Sequence, residues 1–222
     1  MSFFHILEDM KTLSQILSAS NAFLEKVTDI PTGNTLEIRS SFANQAVWRA
    51  SALAQFPELH EVYVVSTSTF ASFPLPSNFR ELMASPMVLR SNGEWEEYEV
   101  IRPLERYKKS ASDKYCYILG NPASGYTAVF NNLIANATLS FDYQRYPTGL
   151  LTLTDICELS DPTYVVAQLN ADMLLSFNDE RYNVYQAEAK EALSNMIGKQ
   201  MKSPSGGAGR AKRLGAANYI IE

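Results

Sequence analysis

The chain has 222 residues, 46% hydrophobic and 19% charged, an ordinary balance for one folded domain or one domain with a large insertion. Its formal charge of −5 is uneven: Lys202, Arg210, Lys212 and Arg213 against Glu222 give +3 beyond residue 201, so the body carries −8. A body this acidic does not suit sequence-independent DNA binding, which needs Lys and Arg to neutralise phosphates, but it does not exclude a protein that DNA slides past without sticking.

In chain order, residues 3–27 read as one helix or two short ones, because Phe3, Ile6, Leu7, Met10, Leu13, Ile16 and Leu17 recur at helical spacing. Asp29-Ile30-Pro31-Thr32-Gly33-Asn34 is a break. A second helix is expected from about Leu36 to Ala54, with a stripe of Ala43, Ala46, Val47, Ala50, Leu53 and Ala54. Small residues let a neighbouring helix approach closely, which suits a bundle, and Pro57 ends the helix. The period then changes. Val62-Tyr63-Val64-Val65 reads as a strand, and Phe73-Pro74-Leu75-Pro76-Ser77-Asn78-Phe79-Arg80 as a rigid turn, since two prolines fix φ and remove donors. Met87-Val88-Leu89 and Tyr98-Glu99-Val100-Ile101 flank the hairpin signal Ser91-Asn92-Gly93. A short helix over 103–109 precedes strands at 114–119, 128–133 and 137–143. In the last of these Leu139, Phe141 and Tyr143 alternate with Ser140, Asp142 and Gln144, the pattern of a half-buried antiparallel strand.

Helical periodicity returns after Pro147. Ser160-Asp161-Pro162 starts a helix with the buried stripe Val166, Leu169, Met173 and Phe177. Asn178-Asp179 interrupts, and a last helix carries Tyr182, Tyr185, Ala189, Ala192, Leu193 and Met196 to about Met201. The expected class is therefore α+β, with helical ends around a β-rich middle. The segments are residues 1–59, 60–147 and 148–201, followed by an extended arm over 202–222.

Chemistry-bearing residues are few. His5 and His60 sit in no recognisable catalytic motif, and two Cys with two His lack paired zinc spacing. Cys116, in an apolar run, reads as a buried inert thiol; with Cys157 it makes no disulfide framework. The early acids Glu8 and Asp9 are unlike a signal peptide, and no stretch approaches the roughly eighteen apolar residues of a membrane span. The Asn136-Ala137-Thr138 sequon then reads as coincidence, and a reducing cytoplasm as the compartment of synthesis. Gly120-Asn121-Pro122-Ala123-Ser124-Gly125 lacks the Lys and Ser or Thr of a phosphate loop and reads as a hairpin connection. Glu94, Glu96, Glu97 and Glu99 offer carboxylates for hydrolysis or metal binding, against the simpler reading of a solvated strand edge. Asp179, Glu180, Arg181, Glu188 and Glu191 read as polar helix faces.

The arm resists so plain a reading. Ser203-Pro204-Ser205-Gly206-Gly207-Ala208-Gly209 is a hinge by composition, Arg210-Ala211-Lys212-Arg213 a basic cluster, and Asn218-Tyr219-Ile220-Ile221-Glu222 a short β-prone end. Extended, it spans on the order of 65 Å at about 3.3 Å per residue. An apolar strand of this kind adds to a partner's sheet edge, with the basic cluster held against an acidic surface on the way. Arg210, Lys212, Arg213, Leu214, Tyr219, Ile220 and Ile221 are accordingly the candidate partner-binding residues.

A series of landmarks in order resembles the head–tail adaptor proteins of tailed bacteriophages, especially the short-tailed type. They are Phe42-Ala43-Asn44-Gln45-Ala46 leading to Phe56-Pro57-Glu58-Leu59, the Phe73-Pro74-Leu75-Pro76-Ser77-Asn78-Phe79-Arg80 turn, Tyr117-Ile118-Leu119-Gly120-Asn121, Leu139-Ser140-Phe141-Asp142-Tyr143, and Asp161-Pro162 running on to Asp179-Glu180-Arg181-Tyr182. The resemblance covers roughly residues 40–200. It implies a bundle of N- and C-terminal helices with an inserted antiparallel β domain. It also implies a non-enzymatic virion protein at the head–tail interface that needs no cofactor or metal. Such proteins form a ring of copies, typically twelve-fold, under the portal protein, extend the channel through which genomic DNA passes without specific binding, and receive the tail or nozzle protein. The arm would dock on the portal. Rival readings are a tail-completion or capsid-associated subunit, a monomeric host binding module, and a small hydrolase built on Glu94, Glu96, Glu97 and Glu99.

Overall fold

The computed structural model describes residues 11–24, 36–66, 71–135 and 137–202. The protein is mixed α+β. Helices α1 (Leu13–Leu24) and α2 (Leu36–Leu53) come first, then nine strands, then α3 (Thr163–Ser176) and α4 (Tyr182–Lys202). The strands are β1 (His60–Ser66), β2 (Ser72–Pro74), β3 (Phe79–Leu82), β4 (Met87–Leu89), β5 (Trp95–Glu97), β6 (Glu99–Val100), β7 (Tyr115–Asn121), β8 (Gly125–Asn131) and β9 (Thr138–Arg145). Short 3-10 turns occupy Pro57–Leu59 and Pro103–Lys108. Among the described residues no helix is long and apolar enough to cross a membrane.

Buried apolar side chains fall into two clusters. One joins Leu13, Ile16 and Leu17 of α1, Ala43, Ala46, Val47 and Ala50 of α2, and residues of α3 and α4. Helix α3 lies among the other three, and Tyr164 through Ala171, with Met173 and Leu174, are all buried. That is far wider than the Val166, Leu169, Met173 stripe expected from periodicity, and Phe177 lies just past the helix, half-buried. An all-round apolar helix needs cover on every side, so three partners replace one. In the stripe expected for α2, Ala43, Ala46, Val47 and Ala50 are buried, whereas Leu53 is exposed and Ala54, just past the helix, is half-buried. Polar links tie these helices together. The Ser20 hydroxyl donates to Asn170 Oδ1 at 2.6 Å, the Arg39 guanidinium to the Leu17 carbonyl at 2.9 Å, and Arg49 to Asp172 at 2.7 Å.

Helix α3 stops at a Schellman-type turn. Asn178 takes φ 57°, its N–H donates to the Leu175 carbonyl at 2.9 Å, and that of Asp179 donates to the Leu174 carbonyl at 3.0 Å. Asp179 then accepts from the backbone N–H and guanidinium of Arg181, setting the entry to α4.

The second cluster lies between two sheets. One runs β1-β9-β4-β5, with β3 also on β9; the other runs β2-β8-β7-β6. All pairings are antiparallel except β6 with β7. The inner faces meet through edge-to-face rings, Phe130 with Phe141 at 5.8 Å and Phe79 with Tyr126 at 5.4 Å. Strand β9 shows the expected alternation from Thr138 to Tyr143, with Leu139, Phe141 and Tyr143 buried, but Gln144, expected on the solvent side, is buried as well.

Two expectations are corrected. Residues 73–80 are not a continuous turn: Ser72–Pro74 is strand β2 and Phe79–Leu82 is strand β3, so only the residues between them turn. Pro74 is tolerated because β2 is an edge strand. The hairpin partner of β4 is Trp95–Glu97, not residues 98–101. Tyr98 is instead a fully buried corner where the chain switches sheets; its N–H donates to the Pro86 carbonyl and its hydroxyl to the Asn132 carbonyl, each at 2.9 Å. Only Glu99–Val100 continue as a strand, in the other sheet and parallel to β7.

The 120–125 segment is the β7–β8 hairpin expected. Asn121 Oδ1 accepts from the N–H groups of Ala123 and Ser124, both at 2.9 Å. Gly120 has φ +108°, and a Cβ there would lie 2.1 Å from the Gly125 carbonyl oxygen. Gly198 in α4 has nothing within 4 Å of the corresponding position. We therefore expect Gly120→Ala to destabilise by at least about 2 kcal/mol in urea unfolding. Gly198→Ala should stabilise by about 0.5–1 kcal/mol in the same measurement.

Candidate interaction surfaces

The seven arm residues named from sequence, Arg210, Lys212, Arg213, Leu214, Tyr219, Ile220 and Ile221, lie outside the described residues, as does His5. His60 opens β1 on the surface, opposite Gln144. Cys116 and Cys157 are both fully buried, and burial pushes their thiols up to about 12 and about 11. Neither is a nucleophile near neutral pH.

The four glutamates at 94–99 do not converge. Glu96 accepts from Arg90 at 2.6 Å and is paired with Lys114; Glu99 pairs with Lys109 at 2.5 Å; Glu94 accepts from the Asn92 amide at 2.8 Å. Burial pushes the Glu96 carboxyl up, but the two cations together outweigh it and hold the group below its ordinary range. Glu96 is thus an ion-paired carboxylate instead of the solvated one expected. No group of three or more His, Cys, Asp or Glu side chains among the described residues is arranged to hold a metal. A groove of about 440 Å³ runs between the start of α3 and the middle of α4, lined by Asp161, Glu188, Glu191 and Asn195.

The junction between sheets and helices is polar. Arg145, at the end of β9, donates to Glu61 of β1 at 2.9 Å and to both oxygens of Glu158 at 2.8 and 2.9 Å. Glu158 also accepts from the Thr148 N–H at 2.7 Å. Beside it, the buried Gln144 donates to the carbonyl of Ala54, just beyond α2. Asn44 of α2 donates to the Leu150 carbonyl at 2.9 Å and accepts from the Leu150 N–H at 2.6 Å, so the segment returning to the helices is stitched to α2. Sequence reading placed Asn44 in a landmark without a role; its partner is 106 residues away.

Large apolar side chains are exposed on the helices and on the segment after β9, Leu53, Leu151 and Val184 among them, and on two surfaces of the β part. On the first sheet, cross-strand register puts Val64, Ser140, Met87 and Glu97 in one row and Ser66, Thr138, Leu89 and Trp95 in the next, all on the face away from the core. Val62 and Asp142 lie beside them, and Glu81 shares that face. Val62, Val64 and Trp95 are 55%, 57% and 52% exposed. These strand positions include no Lys or Arg. On the second sheet, the Pro103–Lys108 turn sits over Tyr117, whose neighbours Cys116 and Ile118 point into the core. The Arg106 guanidinium stacks 4.8 Å from the Tyr107 ring and 5.5 Å from the Tyr117 ring, and donates to both hydroxyls. Leu104 and Tyr107 are 79% and 74% exposed, flanked by exposed Arg102 and Lys108. Sequence reading missed both surfaces; the visible signal was Val62 and Val64 on the solvent side of an identified strand, and Leu104 and Tyr107 in a short helix otherwise rich in charge.

No known family model matches the chain, and no curated protein matches it either.

Burial pushes the Glu158 carboxyl up, but Arg145 and the Thr148 donors outweigh burial and lower it from the ordinary 4.5. A carboxylate lowered on folding contributes stability above its unfolded pKa and loses it as pH falls through the folded value. The melting temperature should therefore drop below about pH 4.5, and Glu158→Gln should flatten part of that drop while costing about 1–3 kcal/mol at pH 7. Melting curves between pH 7 and pH 3 check both, and an unchanged slope in the variant would exclude Glu158 as the source.

Proposed function

We propose that this chain is a head–tail adaptor subunit of a short-tailed bacteriophage, a virion protein that joins portal to tail. In this reading α1, α2, α3 and α4 are the helical bundle, the two sheets are the inserted β domain, and copies form a ring, typically twelve-fold, around the DNA channel. The observation that carries it is the division of the core. Residues from both ends of the chain share one apolar cluster, the strands between them hold another, and large apolar side chains remain at the surface of the β part. Surplus apolar surface on an otherwise well-packed body is what a subunit completed by neighbours retains.

The net charge of −8 on residues 1–201 suits a channel wall, because like charge weakens retention of the genome. Residues 203–222 supply the portal contact, with Tyr219, Ile220 and Ile221 in an apolar groove or sheet edge and Arg210, Lys212 and Arg213 against an acidic surface.

Deleting residues 203–222 should leave a body with unchanged melting behaviour that no longer decorates portal-containing heads, as read by co-sedimentation and negative-stain images. Decoration equal to the full chain would remove the arm from the reading. Tyr219→Asp with Ile221→Asp should weaken binding by at least about tenfold, since charge enters an apolar site only at a cost. Full-strength binding by that double variant would make the contact purely electrostatic.

A further inference from the structure

The two uncovered surfaces of the β part lie on opposite sides of one core. The first sheet presents Val62, Val64 and Trp95 among Glu81, Glu97 and Asp142. The second presents Leu104 and Tyr107 among Arg102, Arg106 and Lys108, with Glu105 turned to the Arg102 N–H. The intervening space is filled by Phe79, Phe130, Phe141 and their neighbours, so the two faces point away from each other.

We propose that the outer face of the first sheet of one copy binds the Pro103–Lys108 turn of the next, a head-to-tail contact between copies of this chain. Each face has what the other lacks. Both offer exposed apolar side chains, and their charges are opposite. Neither face is complementary to itself, because pairing two first-sheet faces brings Glu97 and Asp142 against their own kind, and pairing two turns does the same for Arg106 and Lys108. A two-fold dimer through either face is thereby disfavoured. A heterologous contact is favoured, and such a contact repeats from copy to copy until rotation closes it into a ring. Arg106 is prepared for this role. Stacking on Tyr107 and Tyr117 holds its guanidinium over the sheet, and among the described residues its hydrogen bonds go to their two hydroxyls and to no carboxylate, so it is available to an acid on the neighbour. This deepens the ring-subunit reading, on which it rests, by naming the surfaces that meet.

The test uses full-length chains. A Val64→Cys chain is mixed with a Leu104→Cys chain under mild oxidation, the native Cys116 and Cys157 being buried. The mixed disulfide should exceed either homodisulfide by at least about tenfold. Adding Arg106→Glu and Lys108→Glu to the Leu104→Cys chain should abolish that preference, and Glu97→Lys with Asp142→Lys in the Val64→Cys chain should restore it. Rescue by the second swap shows that the first variant was folded. A statistical mixture of disulfides, dominant homodisulfides, or no trapping at any concentration overturns the proposal. Because residues 203–222 are intact throughout and no portal is present, that failure leaves the portal-docking reading to be judged separately.

Discussion

Helix α3 is the element on which the rest depends. Its residues from Tyr164 to Leu174 are buried almost without interruption, so it has no face fit for water and cannot persist without α1, α2 and α4 around it. Two of those partners lie more than a hundred residues earlier in the chain. The helical layer therefore forms only when both ends have been brought together, and the strands between must leave and return at the same place. The small residues of α2 let that helix sit close, while Ser20–Asn170 and Arg49–Asp172 satisfy polar groups that burial would otherwise penalise.

The place of leaving and return is a set of directed polar contacts. Strand β1 begins directly after the Pro57–Leu59 turn, and β9 ends at Arg145, so entry and exit strands are neighbours in one sheet. Arg145 reads that adjacency by bonding Glu61 on the entry strand and Glu158 on the exit segment. Apolar packing alone is tolerant of small slides between layers, whereas a forked guanidinium between two carboxylates is directional. Orientation of the β part relative to the helices rests on these groups, and any assembly that uses both parts inherits it.

Helix residues such as Leu53 and Val184 and the Leu151 segment also leave apolar side chains in water, but on the β part the surplus is sorted by charge. The first sheet's outer face is apolar with acids, and the Pro103–Lys108 turn is apolar with bases. An exposed sheet face of this sort is an aggregation hazard unless a partner covers it or its charges select what approaches. Opposite charge on opposite faces gives such selection: it discourages like faces from meeting and leaves one productive arrangement.

Much of this was legible without coordinates, for reasons that differ by element. The alternation in Leu139, Phe141 and Tyr143, the alanine stripe of α2, and the Asn121 hairpin are local patterns that burial on one side imposes. The cores of α1 and α4 follow the same logic through Leu13, Ile16, Leu17, Ala189 and Met196. Where the reading went astray, a distant partner had overruled a local rule. Pro74 sits in a strand because that strand is at a sheet edge, and Tyr98 ends one because the other sheet receives its ring and Asn132 its hydroxyl. Glu96 reads as solvated until Arg90 and Lys114 are seen against it. Composition and periodicity thus determined the class of the fold, the succession of helical ends and β-rich middle, and the buried stripes of α1, α2, β9 and α4. The tertiary structure alone decided which helix is enclosed, where the two parts are clamped and which apolar side chains are left facing water, because those depend on contacts between residues that share no neighbourhood in the chain.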